Sequence, residues 1–177
     1  MQELPVGIQT FEILRRENFL YVDKTGYLEA LIKKGRRYFF SRPRRFGKSL
    51  TVSTLKSMFR GRVEFFQGLA AENWVKECAK KPFPVLVFDM SDINKTTPEY
   101  IEKRIRDEIC RYAREFGIQL ESSTLEGICI DLFSGIYKKH GEIVVLVDEY
   151  DKPILDCIAN IELSNTVRES LRGFYSI

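Results

Sequence analysis

Several kinds of residue are scarce in this 177-residue chain, and each scarcity excludes something. There is one histidine, His140, and the four cysteines, Cys78, Cys110, Cys129 and Cys157, form no C-x-x-C pair. A zinc site built from cysteine and histidine needs several ligands at short spacing, so that class is set aside. Scattered thiols, with Cys110 and Cys129 inside apolar helical patterns, read instead as free buried cysteines of a reducing compartment. No apolar run is long enough to cross a bilayer and no signal-peptide pattern opens the chain, so the expected location is cytoplasmic, with no membrane partner. Net charge is only +3, too small to argue for nucleic acid globally.

One stretch has no acid at all. From Lys33 to Lys48 the chain carries Lys33, Lys34, Arg36, Arg37, Arg42, Arg44, Arg45 and Lys48 without an aspartate or glutamate. Three readings stand: a field for phosphate, a basic segment that solvates itself, or the edge of a nucleic-acid surface.

Within that stretch lies Ser41–Ser49, SRPRRFGKS, directly behind the apolar run Tyr38-Phe39-Phe40. Strand, loop, Gly-Lys-Ser and then a helix-forming segment is the order of a phosphate-binding loop. Gly47 lets backbone approach phosphate oxygens closely. Lys48 is a point charge for the β- and γ-phosphates, and the Ser49 hydroxyl is suited to Mg²⁺. A helix opening near Lys48 turns free N–H groups and its positive dipole end toward the anion. The usual loop has a glycine five positions before Gly47; here that place is Arg42, followed by Pro43. A solvated basic turn is the competing reading of the tripeptide.

About a hundred residues later comes its chemical partner. Ile143–Val147 in GEIVVLVDEY is an unbroken apolar run, the pattern of a parallel strand covered on both faces. It delivers Asp148 and Glu149 at a carboxyl end, where open α/β sheets bind ligands. In a nucleotide hydrolase the first carboxylate holds Mg²⁺ opposite Ser49 and the second orients the attacking water.

Elsewhere the punctuation is that of an α/β protein. Residues 8 to 34 read as a helical preface, with Thr25 as N-cap of a helix over 27–34 and Gly35 as its stop. Arg37–Ser41 is expected to be the first sheet strand. Lys48–Phe59 follows as a helix with Leu50, Leu55, Met58 and Phe59 inward and Gly61 at its end, and Phe65, Phe66, Leu69 and Trp74 mark a compact aromatic stretch. Pro84–Met90 is a second strand, ending in Asp89, Ser91 and Asp92. Thr97-Pro98-Glu99 opens a helix with the stripe Ile101, Ile105, Ile109 and Tyr112. Ser123 and Glu126 have capping-box spacing for the next helix, with the stripe Leu125, Ile128, Leu132 and Ile136 before Gly141. A last helix from about Thr166 carries Val167, Leu171 and Phe174. The expectation is a parallel α/β sheet of P-loop NTPase type with flanking helices and three identifiable strands. A preface over 1–35 is expected to pack on a core over 36–177.

Four segments together resemble a known family: Phe19–Ile32, Tyr38–Leu50, the Leu-Val-Asp-Glu-Tyr-Asp-Lys-Pro-Ile run at Leu146–Ile154, and the closing LRGFYSI. The chain is similar to bacterial AAA-ATPase-like proteins, in which an N-terminal ATPase module is usually followed by a PD-(D/E)XK nuclease-like domain. In that family the loop commonly reads R-P-R-R-F-G-K-S, which makes Arg42 and Pro43 a family trait. The resemblance implies ATP and Mg²⁺ as ligands and Arg45, Phe46, Gly47, Lys48, Ser49 and Leu50 as the nucleotide-binding set. It further implies Ser49 and Asp148 on the metal, Lys48 and Glu149 as catalytic residues, and Tyr21–Thr25 near the nucleotide.

The resemblance also implies a further strand, ending in a polar sensor residue, inserted between the phosphate-loop strand and the Asp-Glu strand. No such strand follows the F-Y-S segment here, so the chain is expected to be a fragment with an incomplete sheet that binds ATP weakly. Closing the gap directly would displace Asp148 from Lys48 by about 4.8 Å, one strand spacing.

Other function classes remain beside this one. A nucleic-acid-linked protein would use the arginine-rich stretch for phosphate contacts, or act through a linked nuclease-like domain. A non-hydrolysing interaction module would keep nucleotide for stability alone. A self-contained nuclease is set aside because no PD…(D/E)-x-K set is present, and Asp151-Lys152 reads as part of the helix after the acidic strand. Asn94-Lys95 is followed by Thr96-Thr97, so no Asn-Lys-x-Asp guanine reader is present. The oligomeric state is left open.

Overall fold

The short apolar group at residues 11–14 does nucleate a helix, Phe11–Arg16 (α1), which buries Phe11 and Leu14. It begins a computed structural model that describes residues 2–41, 43, 45–91 and 97–175. Met1, Arg42, Arg44, Asp92, Ile93, Asn94, Lys95, Thr96 and the closing Ser176-Ile177 lie outside the described residues. The chain divides into two units, residues 1–85 and 86–177.

In the first unit α1 is followed by α2 (Thr25–Lys34), α3 (Lys48–Phe59), a 3-10 turn (Val63–Phe65) and α4 (Glu72–Lys80). Phe11, Met58, Phe66, Ala71 and Val75 form its core, with Tyr21, Leu28, Leu50, Leu55 and Trp74 packed around them. Phe59 is half-buried and meets Trp74 and Phe83 edge-on, with ring centroids 5.7 and 5.3 Å away. α3 ends where Gly61, at φ +64, comes so close to Ala79 that an added Cβ would lie 2.5 Å from its Cα.

Two expectations fail here. Arg37–Ser41 is not a strand: no ladder includes it, and Tyr38, Phe39 and Phe40 are 48, 72 and 37% exposed. Aromatic propensity makes a strand only where a neighbour supplies the ladder, and no described segment does so. The Tyr38 hydroxyl instead donates to the Leu31 carbonyl near the end of α2. Nor is Thr25 a cap. It is the first residue of α2, and the Asp23 carboxylate accepts from its amide at 2.8 Å and its hydroxyl at 2.7 Å.

The second unit holds a two-stranded parallel sheet, β1 (Val85–Asp89) beside β2 (Val144–Asp148). The crossover consists of α5 (Pro98–Phe116) and α6 (Leu125–His140); α7 (Lys152–Leu155) and α8 (Ile161–Tyr175) complete the unit. Thr97 caps α5 and Pro98 opens it, as their chemistry predicts. Ile101, Ile105, Ile109 and Tyr112 of α5 pack with Ile128, Leu132 and Ile136 of α6 and Val167, Leu171 and Phe174 of α8. Phe88 of β1 lies within this core, 4.9 Å from the Phe174 ring and 5.8 Å from Tyr112.

Alternate residues of a strand turn their backbone groups to opposite sides. On one side of β1 the Met90 amide reaches the Asp148 carbonyl at 3.1 Å. On the other, the Tyr112 hydroxyl accepts from the Val87 amide at 2.7 Å and donates to its carbonyl at 3.0 Å. A helix side chain therefore closes that edge at mid-strand, one of the ways proteins blunt an open edge.

Three further readings shift. The sheet has two described strands where three were expected, because 37–41 does not join it. β2 is not covered on both faces, since Val145 is 40% exposed. The cap of α6 is Thr124, which accepts from the Gly127 amide at 3.1 Å, one residue beyond Ser123. The chain before it is held by the Asp131 carboxylate, which accepts from the Glu121 and Ser122 amides at 2.9 and 2.8 Å. α8 starts at Ile161 rather than near Thr166, where the Asn160 side chain accepts from the Leu163 amide at 3.1 Å.

Candidate phosphate loop and acidic strand end

The Gly-Lys-Ser tripeptide sits at the start of α3. Gly47 is the N-cap at φ 74 and ψ 29, a left-handed conformation that glycine adopts at little cost. Its carbonyl accepts from the Thr51 amide and hydroxyl, each at 2.9 Å. Thr51 is thus the first amide of the helical ladder, and Lys48, Ser49 and Leu50 supply the amides that precede it. No acidic residue stands in the first turn, so no carboxylate of that turn competes for the positive end of the helix dipole.

Before the glycine, Arg45 is also left-handed, at φ 68. Arg45 and Phe46 are exposed, while Lys48, Ser49 and Leu50 are half-buried. The loop thus presents its exposed residues and the open end of a helix together. An added Cβ at Gly47 would meet no atom of the described residues within 4 Å.

The acidic pair belongs to the second unit. Asp148 ends β2 and is 9% exposed; one of its oxygens accepts from the Glu149 amide at 3.0 Å. Glu149 is half-buried at φ 50, a conformation that costs a non-glycine residue about 1–2 kcal/mol. Its carbonyl accepts from the Lys152 amide at 3.0 Å, and the Tyr175 hydroxyl donates to the next carbonyl, that of Tyr150, at 3.2 Å. Asp151 is the N-cap of α7 and Lys152 its first residue, the expected place for that pair. Asp89 closes β1 at the same end of the parallel sheet, exposed and accepting from the Ser91 amide at 2.8 Å.

Lys48 and Ser49 lie in the first unit, Asp148 and Glu149 in the second. The donor chemistry of Ser49 and Asp148 fits magnesium: a hydroxyl and a carboxylate are hard oxygen ligands, and Mg²⁺ commonly takes one or two carboxylates together with phosphate oxygens and water. Among the described residues no cluster of three or more histidine, cysteine or acidic side chains could hold a metal unaided.

Asp23 and Thr25 of the Tyr21–Thr25 segment are hydrogen-bonded within the first unit. Thr25 is fully buried and its hydroxyl accepts from the Ala71 amide at 3.1 Å. Asp23 spends its second oxygen on the Ala70 amide, at 2.7 Å. Burial alone would raise the Asp23 pKa, but donors from Ala70 and from the Thr25 amide and hydroxyl outweigh it and hold the carboxyl below its ordinary value. The cysteines are free thiols, and burial pushes Cys129 up to about 12.

The sequence also held a signal that went unread. Ser53, Thr54 and Ser57 fall within a helix expected to face the core through its apolar residues, and Thr54 and Ser57 are fully or almost fully buried. The left-handed turn at Glu149 had no legible signal.

A mixed α/β protein with a Gly-Lys-Ser helix start and a parallel strand ending Asp-Glu is the class these features define. Residues 5–177 match the AAA-ATPase-like family, described as "Predicted AAA-ATPase", and the chain belongs to that family. It is 36% identical over 178 residues to the "Uncharacterized protein in vnfD 5'region" of Azotobacter chroococcum mcd 1, a match covering 99% of this chain and 34% of that protein. The chain therefore spans about a third of the length of this relative. No solved structure matches the chain. Among the described residues no helix is long and apolar enough to cross a membrane.

Proposed function

We propose that this chain is the ATP-binding module of an AAA-ATPase-like protein, with hydrolysis belonging to the whole protein. The observation that carries the reading is the left-handed Gly47 immediately before α3, with Lys48 and Ser49 as its first residues and no acid in the first turn. Helix amides and dipole bind the phosphates, and the Lys48 ammonium neutralises them. Ser49 and Asp148 are the residues that would hold Mg²⁺, which would supply neutralisation of phosphate charge. Arg45, Phe46 and Leu50 complete the contact surface.

Glu149 orients water and accepts its proton in this reading. Its left-handed backbone supports the assignment, because such conformations gather at functional sites. The test is thermal stabilisation. At about 100 times its dissociation constant, ATP–Mg²⁺ stabilises the chain by about 2.7 kcal/mol, and Lys48→Ala abolishes the shift. An unchanged unfolding temperature in wild type rejects the reading.

A second reading rests on the exposed Lys34, Arg36, Arg37 and Arg45 beside the exposed rings of Tyr38 and Phe39. These residues would bind nucleic-acid phosphates, alone or beside a linked nuclease-like domain. Duplex binding that falls steeply with salt and survives Lys48→Ala would favour it.

A further inference from the structure

The buried polar side chains among the described residues are Thr25, Thr54, Ser57, Asp148 and Ser164. The first three fall in one place, where residues 11–25 dock on α3 and on the turn before α4. Ser53, one turn before Ser57, accepts from the Phe11 amide at 3.0 Å. The Ser57 hydroxyl donates to the Glu12 carboxylate at 3.0 Å. Thr54 is buried with its hydroxyl donating to the Leu50 carbonyl of its own helix at 2.7 Å, and the Tyr21 ring stands edge-on to Phe11 at 5.3 Å. Two hydroxyls one turn apart on α3, those of Ser53 and Ser57, thus bond groups of the preceding segment, the Ser57 hydroxyl sharing its proton with the Ser53 carbonyl at 3.1 Å.

The second half of the contact is the Asp23–Thr25 turn, which takes the amides of Ala70 and Ala71. Ala71 packs in the same core as Phe11 of α1 and Met58 of α3. An apolar seam alone would tolerate a shift of register. A seam of matched donors and acceptors does not, because a buried polar group left unpaired is costly.

We propose that residues 11–25 are a positioning clamp for the phosphate loop. They fix the rotation and height of α3, and so the direction in which Gly47, Lys48 and Ser49 present themselves. Asp23 and Thr25 act through the turn before α4, whose Ala71 shares a core with Met58 of α3, and not on the nucleotide: Thr25 is fully buried, and both Asp23 oxygens already accept hydrogen bonds. The consequence for nucleotide rests on the reading of Lys48 and Ser49 above; the mechanical coupling does not.

The experiment compares wild type, Thr25→Val, Thr25→Ser and Ser53→Ala in the 177-residue chain, by hydrogen exchange over residues 51–58 and by titration with a fluorescent ATP analogue. Thr25→Val removes the hydroxyl and keeps the shape. It is expected to speed exchange over 51–58 about tenfold and to weaken the analogue about fivefold, roughly 1 kcal/mol. Thr25→Ser restores both to within about twofold, and Ser53→Ala behaves as Thr25→Val does.

If Thr25→Val does not fold, Ser53→Ala, which deletes one oxygen, decides on the same two readouts. Unchanged exchange over 51–58 overturns the clamp. Faster exchange with unchanged affinity reduces it to a structural stitch and overturns the positioning role. If wild type does not bind the analogue, the nucleotide reading fails, and exchange alone decides the coupling.

Discussion

Replacing Gly61 and Gly47 by alanine separates packing from conformation, since both glycines are left-handed but only one is crowded. At Gly47 the added methyl meets no atom of the described residues within 4 Å, so its cost is that of a left-handed alanine, about 1 kcal/mol. At Gly61 the same conformational cost applies, and the methyl would also lie 2.5 Å from the Ala79 Cα and 2.9 Å from its N. Those are backbone atoms of α4 that cannot rotate aside, so overpacking adds about 1–3 kcal/mol. Gly61→Ala is therefore expected to cost about 2–4 kcal/mol in all. The first unit spans 85 residues, and a folded segment of that size is worth about 4–13 kcal/mol.

Trp74 is the assay. It is the only tryptophan, it sits on α4, and it packs on Phe59 two residues before Gly61. Urea unfolding followed by its fluorescence reports the first unit directly. With a slope of about 1 kcal/mol/M, Gly47→Ala lowers the midpoint by about 1 M and Gly61→Ala by at least twice that. Nucleotide affinity runs the other way: Gly47→Ala weakens ATP by about tenfold or more, because the methyl stands where phosphate must approach. Equal midpoints for the two variants would refute the close approach of Gly61 to α4. Full ATP affinity in Gly47→Ala would refute the role given to the glycine.

Asp23→Asn gives a pH signature. The folded carboxyl lies below its ordinary pKa, so its stabilisation is present above about pH 4 and is lost as pH falls through the lowered value. The Trp74 urea midpoints of wild type and Asp23→Asn are expected to differ most at neutral pH and to converge in acid; a gap independent of pH would contradict this. Tyr112→Phe keeps the ring and removes the hydroxyl that serves both Val87 backbone groups. It is expected to destabilise the second unit by about 1–3 kcal/mol, read by urea unfolding in circular dichroism, and a change below about 0.5 kcal/mol would show that β1 needs no such closure.

What was legible in the sequence was whatever local chemistry decides. The helix over Lys48–Phe59, the Thr97-Pro98 start of α5 and the apolar stripes of α5 and α6 follow from caps, glycine and period, and they stand where expected. What was illegible depended on distant partners. Tyr38–Phe40 has strand composition, yet a strand is a relation between segments, and no described segment pairs with it. Thr25 has a capping side chain, but its hydroxyl serves Ala71, forty-six residues on, and Asp23 does the local work. Ser53 and Ser57 read as neutral helix residues because their partners are Phe11 and Glu12, more than forty residues earlier. At the candidate site, the loop geometry at Gly47 followed from glycine before a helix, whereas the left-handed turn at Glu149 had no signal.

The most direct test of phosphate binding at the start of α3 is an amide chemical-shift titration of the isotope-labelled chain with ATP–Mg²⁺. The largest changes are expected on the amides of residues 46–50, and Lys48→Ala is expected to reduce them greatly. Changes centred on Tyr21–Thr25, or no change at Phe46–Leu50 under saturating ATP, would contradict phosphate binding there.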